Sequence, residues 1–563
     1  MLDLAPYALL AGLALAARLA ALGRWPLLED ELHTALSAWR TIQGAAWRAP
    51  EYSPLIYGAS LALFALTRAT DASLRLLPAL AGAGLVLAPY AARDLLGRRG
   101  ALCASALLAV SPLSLTLSRT ADGAILAVAS SVVVLLAGRR FWATGAARPL
   151  RVAAVALALG LNAGPGIYTF LLAAAGALLA TWLSQRRTRA WRETLATLRP
   201  RLGAISRREA LLFAGVFLAA ATALTLNLAG LAASASLLGR WLSDLAPRST
   251  ALPWFAYPRA LVLYEFLAIA LAALGAVTGL RRRDALTAWM LGWLALALVL
   301  GMALGHRHPM WLADALVPLL VLAARGTEHL VAALGAPRDW RDGVALWAGA
   351  CVLAFAFFEL ASYLHNSQTQ FLWFALAGLL VLMFGLAAYG YWAGLRASLR
   401  AGTGLLLVLM AVLTLRQSVA VAYQTGRDPR ERLVYEPTSV HLRIFEAEVA
   451  ALSLHRIGDP RLLDIEYSER LDPWLGWSLR DYTKARSVPG VTPLTTSTSA
   501  VTLVQAGAER LPGYVSQRFA LRESWPPQRL SVRQWLRWFL LRDSVGAGQT
   551  IELQLWVRVA PSK

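Results

Sequence analysis

The sequence predicts an all-α polytopic membrane domain of about 13 spanning helices, followed by a smaller α/β domain outside the membrane. Three observations lead to this prediction. Apolar residues make up 58% of the 563 residues, and charged residues only 15%. The first three quarters of the chain alternate apolar runs with short basic clusters. Beyond Gly426 the composition becomes mixed, so we expect a transmembrane domain at 1–421 and a soluble domain at 422–563.

The apolar runs define the predicted spans. A spanning helix needs about 20 mainly apolar residues, and for this reason the run from Pro54 to Thr67 is expected in the membrane interface instead. Gly82 and Gly84 fall inside the second span and are interpreted as helix-packing glycines. The predicted spans are 5–22, 74–92, 101–117, 122–138, 152–163, 165–183, 210–229, 259–280, 285–304, 310–324, 343–361, 371–393 and 402–421.

The basic clusters orient the chain, because short cytoplasmic loops carry an excess of arginine and lysine. The largest cluster holds eight arginines between Arg186 and Arg208. If 54–67 lies in the interface, this cluster and most other loop arginines face the cytoplasm; if it spans, they face outward. We therefore predict a plasma (inner) membrane protein with a cytoplasmic N-terminus, an extracytoplasmic C-terminal domain and an outer loop at 231–257. The net charge of +21 then reflects membrane orientation and not nucleic-acid binding.

The C-terminal domain is predicted to be mixed α/β. Val440–Leu454 has apolar residues at helical spacing, and Thr550–Val559 alternates apolar and polar residues as a strand does. Large aromatic residues in this domain allow two interpretations, a core of its own or a surface docked over the outer mouth of the membrane domain. These residues are Trp474, Trp477, Tyr482, Trp525, Trp535 and Trp538.

A dense acidic cluster, Glu29-Asp30-Glu31, lies in the first predicted outer loop. Successive residues of a helix point about 100° apart, so these three carboxylates cannot face one partner. Asp30 does share a helix face with His33 and Thr34. Two interpretations stay open. Acids near a helix N-terminus cap it and complement its dipole, or Asp30 and Glu31 belong to a catalytic site.

Further ionisable side chains lie near the predicted outer face. An ionisable group at membrane depth costs at least ~2.5–3.5 kcal/mol and is therefore usually paired or functional. The structural alternatives are snorkelling of the arginines to lipid headgroups, a solvated turn for the histidines, and a pair between Asp314 and an arginine such as Arg18. The residues concerned are Arg75, Arg119, Asp122, Glu265, His306, Arg307, His308 and Asp314.

Several motifs resemble those of C-type (GT-C) membrane glycosyltransferases, the superfamily of protein O-mannosyltransferases and aminoarabinose transferases. They follow one another along the chain in the same order as in that superfamily. Asp30-Glu31 resembles their acidic motif, and the similarity extends from Pro26 to about Phe141. The stretch Pro473–Tyr482 resembles one in the Agl-type branch described as flippase activity-associated. The other matching motifs are Tyr52-Ser53-Pro54-Leu55, Arg75-Leu76-Leu77-Pro78-Ala79-Leu80, Leu96-Gly97-Arg98-Arg99-Gly100-Ala101, and Ser111-Pro112 followed by Ser118-Arg119.

The resemblance implies a GT-C-like hexosyl- or pentosyltransferase that uses a polyprenyl-phosphate-linked sugar. Transfer would invert the configuration of the anomeric carbon of the sugar. It would occur on the outer face of the membrane, to a protein, lipid or glycan acceptor. Asp30 and Glu31 would be the catalytic acids. A divalent cation (Mg²⁺, Mn²⁺ or Zn²⁺) would bind Asp30 and Asp122, although Asp122 stands two positions earlier than in the family pattern. The donor phosphate would bind Arg75, Arg119, His306, Arg307 and His308. The alternative is a non-enzymatic factor for the transport or assembly of lipid-linked sugars.

Overall fold

A computed structural model of the chain describes residues 3–47, 50, 53–185, 206–246, 254–303, 309–335, 340–434, 437–489, 501–505, 513–525, 530–543 and 548–558. Helices dominate this part of the chain, and one sheet lies near its C-terminal end. Tyr52 and the predicted phosphate-binding residues His306, Arg307 and His308 lie outside the described residues.

The membrane part is an all-helical bundle. Its first half consists of α1 (Ala5–Leu19), α2 (Glu29–Ile42), α3 (Pro54–Leu66), α4 (Asp71–Leu85), α5 (Ala88–Ala91), α6 (Arg93–Leu96), α7 (Arg98–Val110), α8 (Pro112–Ser118), α9 (Ala124–Thr144), α10 (Ala147–Leu161) and α11 (Gly166–Gln185). The second half consists of α12 (Arg207–Ala221), α13 (Ala229–Asp244), α14 (Ala256–Tyr264), α15 (Phe266–Arg281), α16 (Ala285–Ala303), α17 (Ala313–Leu334), α18 (Trp340–Asn366), α19 (Thr369–Ala393) and α20 (Leu395–Val419).

The described residues contain eight helices that are long and apolar enough to cross a membrane, or ten if each of two bent helix pairs is one span. The remaining predicted spans correspond to α1, α10 and α12, which have 15 residues each. The total of about 13 spans therefore stays a prediction. The helix predicted at 54–67 is confirmed as α3, while its position in the interface stays a prediction. The predicted loop at 231–257 is partly wrong, because α13 occupies its first half.

Two predicted straight spans are bent. α7 and α8 meet at 56° around Ser111, and α14 and α15 meet at 98° around Glu265. The two breaks are joined by the Glu265 carboxylate, which accepts hydrogen bonds from Ser111 Oγ at 2.5 Å and from the Leu113 N–H at 3.1 Å. A carboxylate at a helix N-terminus satisfies backbone donors that have no partner within the helix. Glu265 therefore has a structural role at the breaks in these two helix pairs.

A close contact between α4 and α8 depends on Gly82. A Cβ atom at this position would lie 1.9 Å from Ser118 Oγ, whereas a Cβ atom at Gly84 would meet nothing within 4 Å. The interpretation as a helix-packing glycine is thus confirmed for Gly82 and wrong for Gly84. The same region buries Arg18, whose guanidinium donates to Ser118 Oγ at 3.1 Å and Ser114 Oγ at 3.0 Å.

The C-terminal domain combines helices with one five-stranded sheet, as predicted. Its elements are α21 (His441–Ile457), β1 (Ile465–Ser468), α22 (Trp474–Ser478), β2 (Ala485–Val488), β3 (Val501–Gln505), β4 (Tyr514–Ser524), α23 (Val532–Leu536) and β5 (Gln549–Arg558). The strand order is β2-β1-β3-β5-β4; the first three are parallel, and β5 is antiparallel to both neighbours. Phe445 and Val449 of α21 pack in one core with Phe519 and Leu553 of the sheet. The predicted helix and the predicted strand are both confirmed.

Candidate active site

The three acidic residues at the start of α2 point to different partners, as the helical geometry predicts. Glu29 pairs with Arg522 of the C-terminal domain at 3.3 Å. Glu31 points into the membrane domain and is fully buried. Asp30 lies close enough to Asp122, in the loop between α8 and α9, for its negative charge to raise the pKa of that carboxyl group. The loop that carries Asp122 lies against the start of α2, since the Ala121 N–H donates to Glu31 Oε1 at 2.8 Å.

Glu31 is the centre of a buried network that joins four segments. Its Oε1 accepts from Arg75 Nε and the Ala121 N–H, both at 2.8 Å. Its Oε2 accepts from the Leu28 N–H at 2.8 Å, Arg75 Nη2 at 2.5 Å and Arg427 Nη2 at 3.4 Å. Burial raises the pKa of Glu31, but the two guanidinium groups outweigh it and hold the pKa below its usual value. Since donors occupy both oxygens, this geometry favours a positioning role for Glu31 over a direct catalytic one.

Arg75 stabilises the loop between α1 and α2 through hydrogen bonds to its backbone. Besides its two bonds to Glu31, it donates through Nη1 to the carbonyls of Leu22 at 3.2 Å and Trp25 at 3.0 Å. Nη2 also donates to the carbonyl of Pro26 at 3.1 Å. The side chain is 2% exposed, so snorkelling to lipid headgroups is wrong for Arg75. All three of its nitrogens are already bonded, and any effect on a donor phosphate would act through charge.

Arg119 caps the C-terminal end of α1. Its Nη1 donates to the carbonyls of Ala17, Arg18 and Ala20 at 2.8–3.0 Å, and its Nη2 donates to that of Ala21 at 3.0 Å. The last carbonyls of a helix have no partner within the helix, and a cation is favourable beside them. Arg119 is 7% exposed, so snorkelling is wrong for this residue too.

Arg427 belongs to the same cluster and was not predicted. It follows α20 in the linker to the C-terminal domain, and its Nε donates to the carbonyl of Pro26 at 2.9 Å. Burial, together with the nearby charge of Arg75, lowers the pKa of Arg427 to about 9. Arg75, Arg119 and Arg427 line one small cavity beside Trp25. The only hint in the sequence was the position of Arg427 just after the last predicted span.

Asp122 and Asp314 line a second small cavity, of about 10 Å³, which is roughly the room for one water molecule. Asp122 Oδ1 accepts from the Ala124 N–H at 2.9 Å. Burial, reinforced by the charges of Glu31 and Asp30, raises the pKa of Asp122 to about 7. Asp314 is 3% exposed, and its Oδ2 has no hydrogen-bond partner in the described part of the chain. Arg18 donates to Ser114 and Ser118 instead, so the expected pairing of Asp314 with Arg18 is wrong.

The residues described do not make a complete metal site. Among them, no group of three or more His, Cys, Asp or Glu side chains is placed to hold a metal ion. The predicted cation ligands Asp30 and Asp122 supply only two carboxylates.

The C-terminal domain docks on the first predicted outer loop, as one of the two interpretations of its aromatic residues predicted. Asp71, the first residue of α4, accepts from Trp477 Nε1 at 2.8 Å and pairs with Arg443. Arg40 of α2 pairs with Asp472 at 2.7 Å. Trp477 is 2% exposed and lies within the stretch Pro473–Tyr482. That stretch therefore forms part of the docking surface, and it lies beside the C-terminal half of α2, where Gly476 approaches Leu36 and Arg40.

The family model of dolichyl-phosphate-mannose-protein mannosyltransferases matches residues 52–200. The fold is similar to that of ArnT from Cupriavidus metallidurans bound to undecaprenyl phosphate, with 16% identity and a TM-score of 0.57 over 89% of this chain and 93% of that one. The same protein in the apo state gives 16% identity and a TM-score of 0.54 over 84% of each chain.

The oligosaccharyltransferase of Archaeoglobus fulgidus in the apo form shares 14% identity with a TM-score of 0.40, over 89% of this chain and 69% of that one. No curated protein matches the sequence. The resemblance of Pro473–Tyr482 to the Agl-type branch is not tested by these matches and stays a prediction.

Proposed function

We propose that the chain is a C-type membrane glycosyltransferase, which transfers a sugar from a polyprenyl-phosphate-linked donor to an acceptor on the outer face of the membrane. The observation that carries this proposal is that Glu31, next to Asp30, bonds to the Ala121 N–H, next to Asp122, and to the buried guanidinium groups of Arg75 and Arg427. Carboxylates suit the activation of an acceptor hydroxyl. Arginines suit the stabilisation of a departing phosphate.

Asp30 is the proposed general base. It takes the proton of the acceptor hydroxyl while the hydroxyl oxygen forms a bond to the anomeric carbon of the sugar. The bond between that carbon and the phosphate oxygen breaks, and its electron pair leaves with the prenyl phosphate. Attack from the face opposite the leaving group inverts the anomeric carbon. Glu31 positions Asp30, because its bonds to Arg75 and Ala121 fix the first turn of α2.

The departing phosphate gains negative charge, which the nearby cations stabilise. Arg75, Arg119 and Arg427 supply fixed positive charge, since most of their nitrogens are already bonded to the protein. Direct contacts to the phosphate are proposed for His306, Arg307 and His308.

The test is Asp30→Asn in purified protein, with radiolabelled polyprenyl-phosphate sugar as donor and native membranes as the source of acceptor. We expect transfer to fall ~10²–10⁴-fold, the usual contribution of a positioned general base. Folding should be unchanged, since asparagine caps a helix about as well as aspartate. Glu29→Gln is the matched control, because Glu29 adjoins Asp30 but faces Arg522.

A second variant, Arg307→Ala, should weaken donor binding more than turnover, because a contact to phosphate forms before the chemical step. Full activity of Asp30→Asn would mean that Asp30 is not the base. If neither the wild-type protein nor any variant transfers sugar, while the donor lipid still binds, the non-enzymatic alternative is favoured.

A further inference from the structure

The break between α7 and α8 is held by helices that are distant in the chain. Pro112 has no N–H, so the carbonyl of Leu108 cannot bond to it within a helix. Arg18 of α1 donates to this carbonyl through Nη2 at 3.1 Å. Ser418 of α20 donates to the carbonyl of Val110, the last residue of α7. Two carbonyls at the break therefore have partners from other helices.

The first N–H groups of α8 are bonded to side chains. The Leu113 N–H donates to Glu265 Oε1 at 3.1 Å, and the Ser114 N–H donates to Ser111 Oγ at 2.9 Å. Ser111 Oγ in turn donates to the same oxygen of Glu265 at 2.5 Å. Arg18 and Glu265 are 0% and 2% exposed. A cation at the end of one helix and a carboxylate at the start of the next both complement the helix dipoles, so the break is a specifically bonded structure.

α8 leads from this break directly to the candidate site. It has only seven residues, and Asp122 follows its last residue by four positions. Just before Asp122, the Ala121 N–H donates to Glu31 Oε1 at 2.8 Å. Seven residues of helix are about 10 Å long and move as one rigid element, so a shift at the start of α8 reaches its end. The place of the loop at 119–122 therefore depends on the bonds to Glu265.

Tyr264, the residue before Glu265, holds a second segment of the candidate site. Its hydroxyl group donates to Glu431 in the linker after α20, and both residues are 1% exposed. The same linker carries Arg427, whose Nη2 donates to Glu31 Oε2 at 3.4 Å. Two segments thus run from the break between α14 and α15 to one carboxylate, since α8 leads to its Oε1 and the linker to its Oε2.

We propose that Glu265 is a positioning residue for sugar transfer, which holds α8 so that the loop of Arg119 and Asp122 keeps its place against Glu31. This inference rests on the proposed function. Glu265 does not touch the reacting atoms and acts through α8 alone. What it supplies is an acceptor for Ser111 and for the backbone of α8, so a neutral side chain of the same shape should replace it.

The first measurement is steady-state transfer from the radiolabelled donor. We expect Glu265→Ala to lower kcat about 10–100-fold, because a misplacement of about 1 Å in a site can cost this much. The KM for the donor should stay unchanged, since the direct contacts to its phosphate are proposed for other residues. Glu265→Gln should restore most of the turnover, because the amide oxygen can accept the same two hydrogen bonds.

The second measurement follows the position of α8 without sugar transfer. Backbone hydrogen exchange of residues 113–124, measured by mass spectrometry, reports how firmly this segment is bonded. We expect faster exchange in Glu265→Ala than in the wild type, including at the N–H of Ala121, and wild-type exchange in Glu265→Gln.

Glu328→Ala is the matched control. Glu328 of α17 holds the other end of α7 by the same kind of bond, since its Oε1 accepts from the N–H groups of Arg99 at 2.7 Å and Gly100 at 2.9 Å. Its loss should destabilise the protein as the loss of Glu265 does. Turnover and the exchange of residues 113–124 should stay at the wild-type level, because Glu328 does not contact α8.

Wild-type turnover of Glu265→Ala would overturn the proposal, and so would an equal loss of turnover in Glu328→Ala. A fall in kcat without faster exchange would also overturn it, since Glu265 would then act by another route than α8. If Glu265→Ala does not fold, Ser111→Ala decides, because it removes only one of the two bonds; unchanged exchange and turnover in this variant contradict the proposal. If the wild type transfers no sugar, the proposed function fails, while equal exchange in wild type and Glu265→Ala would still refute the positioning of α8 by Glu265.

Discussion

Replacing Glu31 by glutamine should damage folding more than chemistry. Glutamine keeps the shape of the side chain but removes its charge, and its amide group cannot accept from Arg75 as the carboxylate does. The guanidinium of Arg75 is 2% exposed and that of Arg427 is 5% exposed, so both are almost fully removed from solvent. Breaking a buried ion pair by removing one partner typically costs about 3–5 kcal/mol. That is a large part of the ~5–15 kcal/mol by which folded domains are stable.

The assay is unfolding of the purified protein in detergent, measured for the wild type, Glu31→Gln and the adjacent Asp30→Asn. Arg75 and Arg427 hold the pKa of Glu31 below its usual value despite the opposing effect of burial. The stability that this carboxylate contributes is therefore complete above its unfolded pKa of about 4.3 and is lost as the pH falls through the lower folded value. The gap between wild type and Glu31→Gln should shrink below that pH.

Two results would refute this reasoning. The first is a Glu31→Gln protein as stable as the wild type at neutral pH but inactive, which would give Glu31 a direct part in the chemistry. The second is an unchanged gap in stability between the two proteins across the acidic range, which would mean that the charge of Glu31 does not stabilise the fold.

Three other predictions test the architecture. Asp71→Ala removes the acceptor of Trp477 and should weaken docking of the C-terminal domain by about 1.5–3 kcal/mol. The measurement is the rate of protease cleavage in the linker after α20, which should rise; an unchanged rate would contradict this prediction. Gly82→Ala should cost about 1–3 kcal/mol of stability because its Cβ would meet Ser118, while Gly84→Ala, with open space, is the control. A reporter fused after Asp71 should be extracytoplasmic, since α3 is expected in the interface; a cytoplasmic signal would reverse the predicted topology.

The sequence predicted local features well and long-range pairings poorly. Apolar runs locate helices because each helix satisfies its own backbone, whatever its neighbours are. The bends at Ser111 and Glu265 were not predicted, although Pro112 is a local signal for the first, since proline ends or kinks a helix at the preceding residue. A straight apolar run and a bent one have the same composition, so hydropathy cannot distinguish them.

In the candidate site, too, local features were predicted and long-range pairings were not. The loops that carry Asp30 and Asp122 were predicted on one side of the membrane, and in the structure the two loops are in contact through the bond from the Ala121 N–H to Glu31. The burial of Arg75 against Glu31 was not predicted, since the sequence shows both charges but not which ones pair. Arg427 was missed because it reaches Glu31 across 396 positions. No local pattern marks a residue whose role depends on a contact so distant in the chain.

The bond between Glu265 and the start of α8 also bears on how the protein is made. α8 emerges from the ribosome long before Glu265, which is 152 positions later than Leu113. At translation rates of about 5–20 residues per second, the delay is roughly 8–30 s. During that time the Leu113 N–H lacks its final acceptor, in surroundings where an unpaired backbone group is costly. The first bent span is therefore completed only when the second one has been inserted beside it.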